Sequence, residues 1–261
     1  MPEIQRTYLY NAHGHALSAQ FNRPLQHTID VQAGMSLPTT GGYGFVRVTD
    51  FRFKGFLSLK SASTQVSGSF HAEDNSYTTM VSVEVEGLNI FDVLTADRVV
   101  ARIASRHPMD ELKTEPHIVL VGSHFENLRI AGCHVEVELD HDLFLRLDTF
   151  QRLRHELDIN ERFRKMALDP YHTGQLLPPP GACGMALCSL VKDMKVNCPG
   201  VERVGHVFTI REFGKIFLAE VVAEDSHRIL TMIRFELGSP GGGSGTAGQG
   251  QSNGQSYPPQ P

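Results

Sequence analysis

Several absences narrow this chain before any motif does. No apolar run approaches the roughly 20 residues that a membrane-spanning helix needs, so no helical span is expected. From Met1 to Ala19 the chain carries Glu3, Arg6, His13 and His15 and no apolar stretch like the core of a secretion signal. A cytoplasmic location is therefore the expectation. Positive charge is not in excess either: 24 Lys and Arg against 29 Asp and Glu leave a net charge of −5. That balance argues against nucleic-acid binding, which needs a dominant cationic field. Arg152, Arg154, Arg162, Arg164 and Lys165 do cluster, but Asp148, Glu156, Asp158 and Glu161 lie among them, as on a solvated helix surface.

Cysteine is scarce, with four in 261 residues: Cys133, Cys183, Cys188 and Cys198. In a reducing compartment these would be thiols. Their even number leaves a disulfide open, with no pairing specified. The His-Glu-x-x-His signature of zinc-dependent hydrolases does not occur. Residues 239–261 have almost no large apolar side chains and are dominated by Gly, Ser, Gln and Pro. Ordering them would cost backbone entropy without evident burial, which predicts a disordered tail.

What is present is period-two alternation. Val81, Val83 and Val85 alternate with Ser82, Glu84 and Glu86, and Val135, Val137 and Leu139 alternate with His134, Glu136, Glu138 and Asp140. Each pattern marks a strand with one buried face. Residues 98–104 and 117–121 add Val- and Ile-rich runs, and 43–60 contributes Phe51, Phe53, Leu57 and Leu59. The stretches 215–223 and 228–237 are apolar on both faces, as suits strands away from a sheet edge, with a polar connection at Glu224-Asp225-Ser226-His227. Residues 148–168 instead place Phe150, Leu153, Leu157, Phe163 and Met166 at helical spacing. Asp148 is the expected cap of a first helix there, and Asp158 with Glu161 resembles a capping box for a second. Pro170 closes the helical region and Pro178-Pro179-Pro180-Gly181 leads back to β structure. The expected fold is mainly β, with sandwich-like antiparallel sheets of nine or ten strands and a two-helix insertion near 148–168. One domain spans 1–238, its helical insertion occupies 141–180, and the tail is 239–261.

Three segments carry a family resemblance. They are Val83-Glu84-Val85-Glu86-Gly87-Leu88-Asn89-Ile90, running through Leu94-Thr95-Ala96-Asp97 into Val99-Val100-Ala101; Gly122-Ser123-His124-Phe125-Glu126-Asn127-Leu128-Arg129-Ile130-Ala131-Gly132; and Phe213-Gly214-Lys215-Ile216-Phe217-Leu218-Ala219-Glu220 with the strand to Leu237-Gly238. Over residues 80–140 and 205–238 the chain resembles the bacterial choice-of-anchor group of surface proteins. The resemblance implies a β fold, a non-catalytic role and, through its surface-attached members, export as a second option for location. The chain departs from that group in having a helical insert and, as written, neither a signal peptide nor an anchoring motif.

No residue set stands out as a catalytic, cofactor or metal site. His13-Gly14-His15 puts two imidazoles on one side of an extended chain, but no third ligand is fixed by spacing, His27 being one option among several. Cys183, Cys188 and Cys198 are too loosely spaced for a structural zinc site, with Cys133 or a histidine as the fourth ligand, and packing thiols are expected instead. Thr39-Thr40-Gly41-Gly42-Tyr43-Gly44 lacks the Gly-Lys-Ser/Thr ending of a phosphate loop and reads as a turn. Glu84, Glu86, Glu136, Glu138 and Asp140 form an acidic stripe only if their strands are neighbours, and no calcium-loop spacing accompanies them. Ser123 and His124 are adjacent and so point to opposite faces of a strand. Cys183, within Gly181-Ala182-Cys183-Gly184, has no identifiable base. The expectation is a non-enzymatic structural or binding protein acting through a sheet-surface contact. The alternative is an enzyme or metal-binding protein whose site is assembled from dispersed His and acidic residues. A protein partner or self-association is left open; nucleic acid and a membrane span are not expected.

Overall fold

Alternating residues bury one strand face each, and two such faces cover one another. The computed structural model describes residues 7–24, 26–108, 115–171 and 184–257. The chain begins with β1 (Thr7–Arg23), β2 (His27–Gln32) and β3 (Met35–Ser36), then runs a meander of β4 (Gly42–Phe53), β5 (Leu57–His71), β6 (Ser76–Ile90) and β7 (Leu94–Pro108). Short strands follow: β8 (His117–Val119), β9 (His124–Glu126), β10 (Arg129–Ile130), β11 (Cys133–His134) and β12 (Glu136–Leu139). Helices α1 (His141–Arg146), α2 (Phe150–Ile159) and α3 (Glu161–Leu168) interrupt the β structure. It resumes with β13 (Met185–Ser189), β14 (Val191–Lys195), β15 (Val201–Val204), β16 (Val207–Ile210), β17 (Gly214–Glu224), β18 (His227–Leu237) and β19 (Gly242–Tyr257).

These strands form two antiparallel sheets and a ribbon. The larger sheet runs β15-β16-β17-β18-β19-β1-β2, with β13 beside β17 and β3 beside β1. The smaller runs β11-β10-β7-β6-β5-β4, with β8 and β9 beside β7, and β12 pairs with β14. Val81, Val83 and Val85 of β6 are fully buried, as their alternation predicts. The apolar β17 and β18 each have strands on both sides, so neither is an edge. One continuous buried cluster takes in both sheets and the helix residues Phe144, Leu153 and Leu157.

The expected disordered tail at 239–261 is corrected by the structure. Gly242–Tyr257 is a central strand, paired with β18 on one side and β1 on the other. Its alternation is one of size: Ala247, Gly250 and Ser252 are buried, while Thr246, Gln249, Gln251 and Asn253 are half-exposed. The inward positions stay small because the smaller sheet packs close. A Cβ added at Gly14 of β1 would sit 2.7 Å from Val83 and 2.9 Å from Val81, and one at Gly250 would sit 3.3 Å from Val81. Burial on this strand is supplied by large residues on its neighbours, which a hydropathy scan of the strand alone does not register.

The two helices expected near 148–168 are α2 and α3, with α1 preceding them among the described residues, but their caps move. Thr149, not Asp148, caps α2, accepting from the Arg152 N–H at 3.3 Å. Asp148 instead pairs with His117 at 2.7 Å and Arg152 at 2.6 Å. Asn160, not Asp158, caps α3 through the Phe163 N–H at 3.0 Å. The proline link 178–181 lies outside the described residues. The disulfide that the even cysteine count left open joins Cys133 in β11 to Cys198, 65 residues on, which corrects the expectation of a packing thiol at Cys198. Cys188 is a buried free thiol, pushed up to about 12 by burial, and Cys183 lies outside the described residues.

Candidate functional site on the outer face of the larger sheet

The inner face of the larger sheet is mostly apolar. Ser252, bonded to Thr79 and Ser105, and Arg228, bonded to the Ile118 and Leu147 carbonyls, are buried polar exceptions, and the polar residues of interest lie on the outer face. One irregular row decides which of them meet. Leu17, Ala247, Ile233 and Leu218 pair across four strands, while neighbouring Ala16, Gly248, Met232 and Ala219 drop out of the ladder. Gly248 and Ala219 take φ of +66° and +50°. All eight residues are buried, so two successive residues per strand turn inward. Residues three apart then share the outer face, where a regular strand would put them on opposite sides. His15 Nε2 accordingly lies 3.2 Å from Ser18 Oγ and 3.0 Å from Thr246 Oγ1, with the two hydroxyls 3.1 Å apart. Burial lowers the pKa of His15, with His13 adding to the effect; burial also lowers His13, assisted by His227. Both rings are thereby held toward the neutral form.

Beside this cluster lies a denser network around Glu220 of β17, which is 5% exposed. Arg234 of β18 grips its carboxylate in two places, Nε to Oε2 at 2.6 Å and Nη2 to Oε1 at 2.9 Å. The Tyr171 hydroxyl, just beyond α3, donates to Oε1, and its oxygen lies 3.0 Å from His206 Nε2. Arg234 also donates through Nη1 to Glu236 and stacks 3.5 Å above the Phe217 ring centroid. Burial alone would raise the Glu220 pKa. The hydrogen bonds from Arg234, His206 and Tyr171 and the guanidinium charge outweigh it, bringing the carboxyl down to about 2. Glu220 is therefore a held anion with its lone pairs in use, not a spare base.

An open groove of about 450 Å³ runs from this network across β19 and β1 to β2. Its polar wall is Ser18, Gln20, Thr28, Asp30, Glu236 and Ser244, with Arg234 at one end. Among the described residues Asp30 carries no ion pair. The guanidinium of Arg234 is already occupied by Glu220 and Glu236, and Asp30 adds an unpaired carboxylate at the far end of the groove. The arrangement offers acceptors and hydroxyls to a ligand and no free cation.

The residues weighed from sequence are largely dispersed. His13 and His15 do share one face, but His27 stacks on Phe53 at the end of the sandwich. Glu84 pairs with Arg98 at 2.6 Å, Glu86 accepts from Ser61, and Glu136 and Glu138 lie on a different sheet, so no single acidic stripe forms. Ser123 bonds the Arg102 backbone and His124 the Gly122 carbonyl, so they do not form a dyad. Ser189 and Lys192 stand at Ser-x-x-Lys spacing, not singled out from the sequence. Ser189 donates to the Leu218 carbonyl at 2.9 Å and Lys192 pairs with Glu138. Ser18 with His15 at 3.2 Å and Ser69 with His71 at 3.0 Å each set a hydroxyl beside an imidazole, yet Thr246 and Thr78 respectively share the same nitrogens. Among the described residues no carboxylate is hydrogen-bonded to the His15 ring, and no group of three or more His, Cys, Asp or Glu is placed to hold a metal. Glu220 was legible in one respect: it is a charge inside residues 216–223, a run that is otherwise apolar.

A family model described as a domain of unknown function (DUF8256) matches residues 8–176 and 154–224. The chain belongs to this family. No curated protein and no solved structure matches it. The family's matched residues include His15, Ser18, Tyr171, His206 and Glu220, whereas Arg234 and Thr246 follow them.

Proposed function

We propose that this protein is a non-catalytic binding module whose groove on the outer face of the larger sheet docks an extended, positively charged polar segment of a partner. The observation that carries this is the charge of the groove: Asp30 and Glu236 line it against Arg234 alone, whose guanidinium is already held by Glu236 and the buried Glu220, in a channel rimmed by hydroxyls. A cationic, hydrogen-bonding ligand meets complementary charge there, whereas an anionic one would meet repulsion and an engaged guanidinium. The satisfied network around Glu220 holds the end of the groove rigid, which lowers the ordering cost of binding. The Cys133–Cys198 bond supports a place in an oxidising compartment, in line with the resemblance to surface proteins.

The test is fluorescence anisotropy with a labelled peptide of alternating Lys and Ser. Binding should weaken several-fold as salt is raised, and about tenfold in the Asp30→Asn, Glu236→Gln double variant. Equal binding by a Glu-Ser peptide, or an unchanged affinity in the variant, would overturn the proposal.

A further inference from the structure

A second cavity, independent of the groove, opens at one end of the sandwich where two hairpin turns of the smaller sheet meet the ends of β1 and β18. It encloses about 290 Å³ and is walled by Phe21, Phe53, Phe56 and Phe91. The rings hold one another in place: Phe56 stacks on Phe91 at 4.4 Å, and Phe21 and Phe53 meet Phe56 edge-on at 5.3 and 5.4 Å. Phe21 is buried, but the other three rings are only half-buried, so part of their surface faces the cavity. The volume is about twice the roughly 150 Å³ that accommodates benzene in an apolar protein cavity.

The backbone at Phe91 adds a second observation. Phe91 and Asp92 form the turn between β6 and β7 with φ of +55° each, and the Val93 N–H closes it on the Ile90 carbonyl at 3.1 Å. Such a turn favours Asn, Asp or Gly at its first central position, and a phenyl group there is strained. The turn is held in spite of the strain by its packing on Phe56, which sets the Phe91 ring as one wall of the cavity, and strain of this kind gathers at ligand sites.

Charge defines what the cavity would accept. Exposed Arg23 and His27 line its mouth, and Lys54 sits 5.4 Å above the Phe53 ring. Among the described residues no carboxylate lines it. We propose that this end cavity is a binding site for a small amphiphilic carboxylate, with a bicyclic aromatic or medium-chain alkyl body among the phenylalanines and its carboxylate at Arg23. The two sites have opposite charge preference, so they do not compete for one class of ligand.

The experiment titrates the full chain with 2-naphthoate, octanoate and the neutral 2-naphthalenemethanol, followed by calorimetry and by amide chemical shifts. Both carboxylates should bind, 2-naphthoate at least fivefold more tightly than the alcohol, with shifts centred on Phe21, Phe53, Phe56 and Phe91. Arg23→Gln, at an exposed position, should abolish the preference for the anion. Phe91→Asn supplies a favoured turn residue, so it should fold, while weakening 2-naphthoate at least tenfold. Equal affinity for acid and alcohol, shifts elsewhere, or full affinity in a folded Phe91→Asn protein would overturn the assignment.

Discussion

Protonating Glu220 tests the polar network most sharply. Its pKa falls from an ordinary 4.5 to about 2 in the folded protein. At about 1.4 kcal/mol per unit, the difference amounts to about 3 kcal/mol. Because the folded value is the lower one, this stability is fully present above about pH 4.5 and is lost as pH falls toward about 2. Glu220→Gln removes the anion while leaving Arg234 part-buried and ion-paired with Glu236 alone. Denaturant unfolding followed by far-UV circular dichroism at stepped pH is the assay. The variant should lose about 3 kcal/mol at neutral pH, in the range for breaking a buried ion pair. It should also show a correspondingly shallower loss of stability between pH 4.5 and 2. A variant whose pH dependence parallels the wild type, or which is as stable at neutral pH, would refute the reasoning.

Three further outcomes are expected. Truncation after Gly241 should abolish cooperative folding, because β19 is the link between β18 and β1; a truncated chain with a cooperative melt near the wild-type temperature would contradict this. Gly14→Val should cost about 1–3 kcal/mol in denaturant titrations, since its Cβ alone would sit 2.7 Å from Val83, and a neutral effect would show that the sheets are not packed this closely. Breaking the Cys133–Cys198 bond with a Cys133→Ser, Cys198→Ser pair should cost about 4 kcal/mol from the loop it closes across 65 residues. An unchanged melting temperature in that pair would argue that the bond constrains nothing.

The smaller sheet was readable because its inward residues are Val and Leu: the Val81, Val83, Val85 alternation predicts β6 directly. The apolar runs of β17 and β18 likewise announced interior strands. β19 was not readable by hydropathy, since its inward residues are Gly, Ala and Ser. The signal lay in a small/Gln alternation that makes sense only once Val81 and Ile103 are placed opposite. The site was less legible still. Ser18 and His15 are three apart in a strand, and nothing local indicates the irregular row that turns both outward. Tyr171 and His206 reach Glu220 from segments 49 and 14 residues away in the chain, so their meeting belongs to the tertiary fold. The Phe21, Phe53, Phe56 and Phe91 cavity likewise draws on separate turns, and only the odd Phe-Asp turn at Phe91 marks it locally.

Amide chemical-shift mapping with the Lys-Ser peptide tests the central claim, that the outer face of the larger sheet is where this protein binds. Shifts should follow the groove through Ser18, Gln20, Thr28, Asp30, Ser244 and Thr246 and saturate with one affinity, leaving Phe53, Phe56 and Phe91 unmoved. Shifts scattered over the surface, or confined to the smaller sheet, would contradict it.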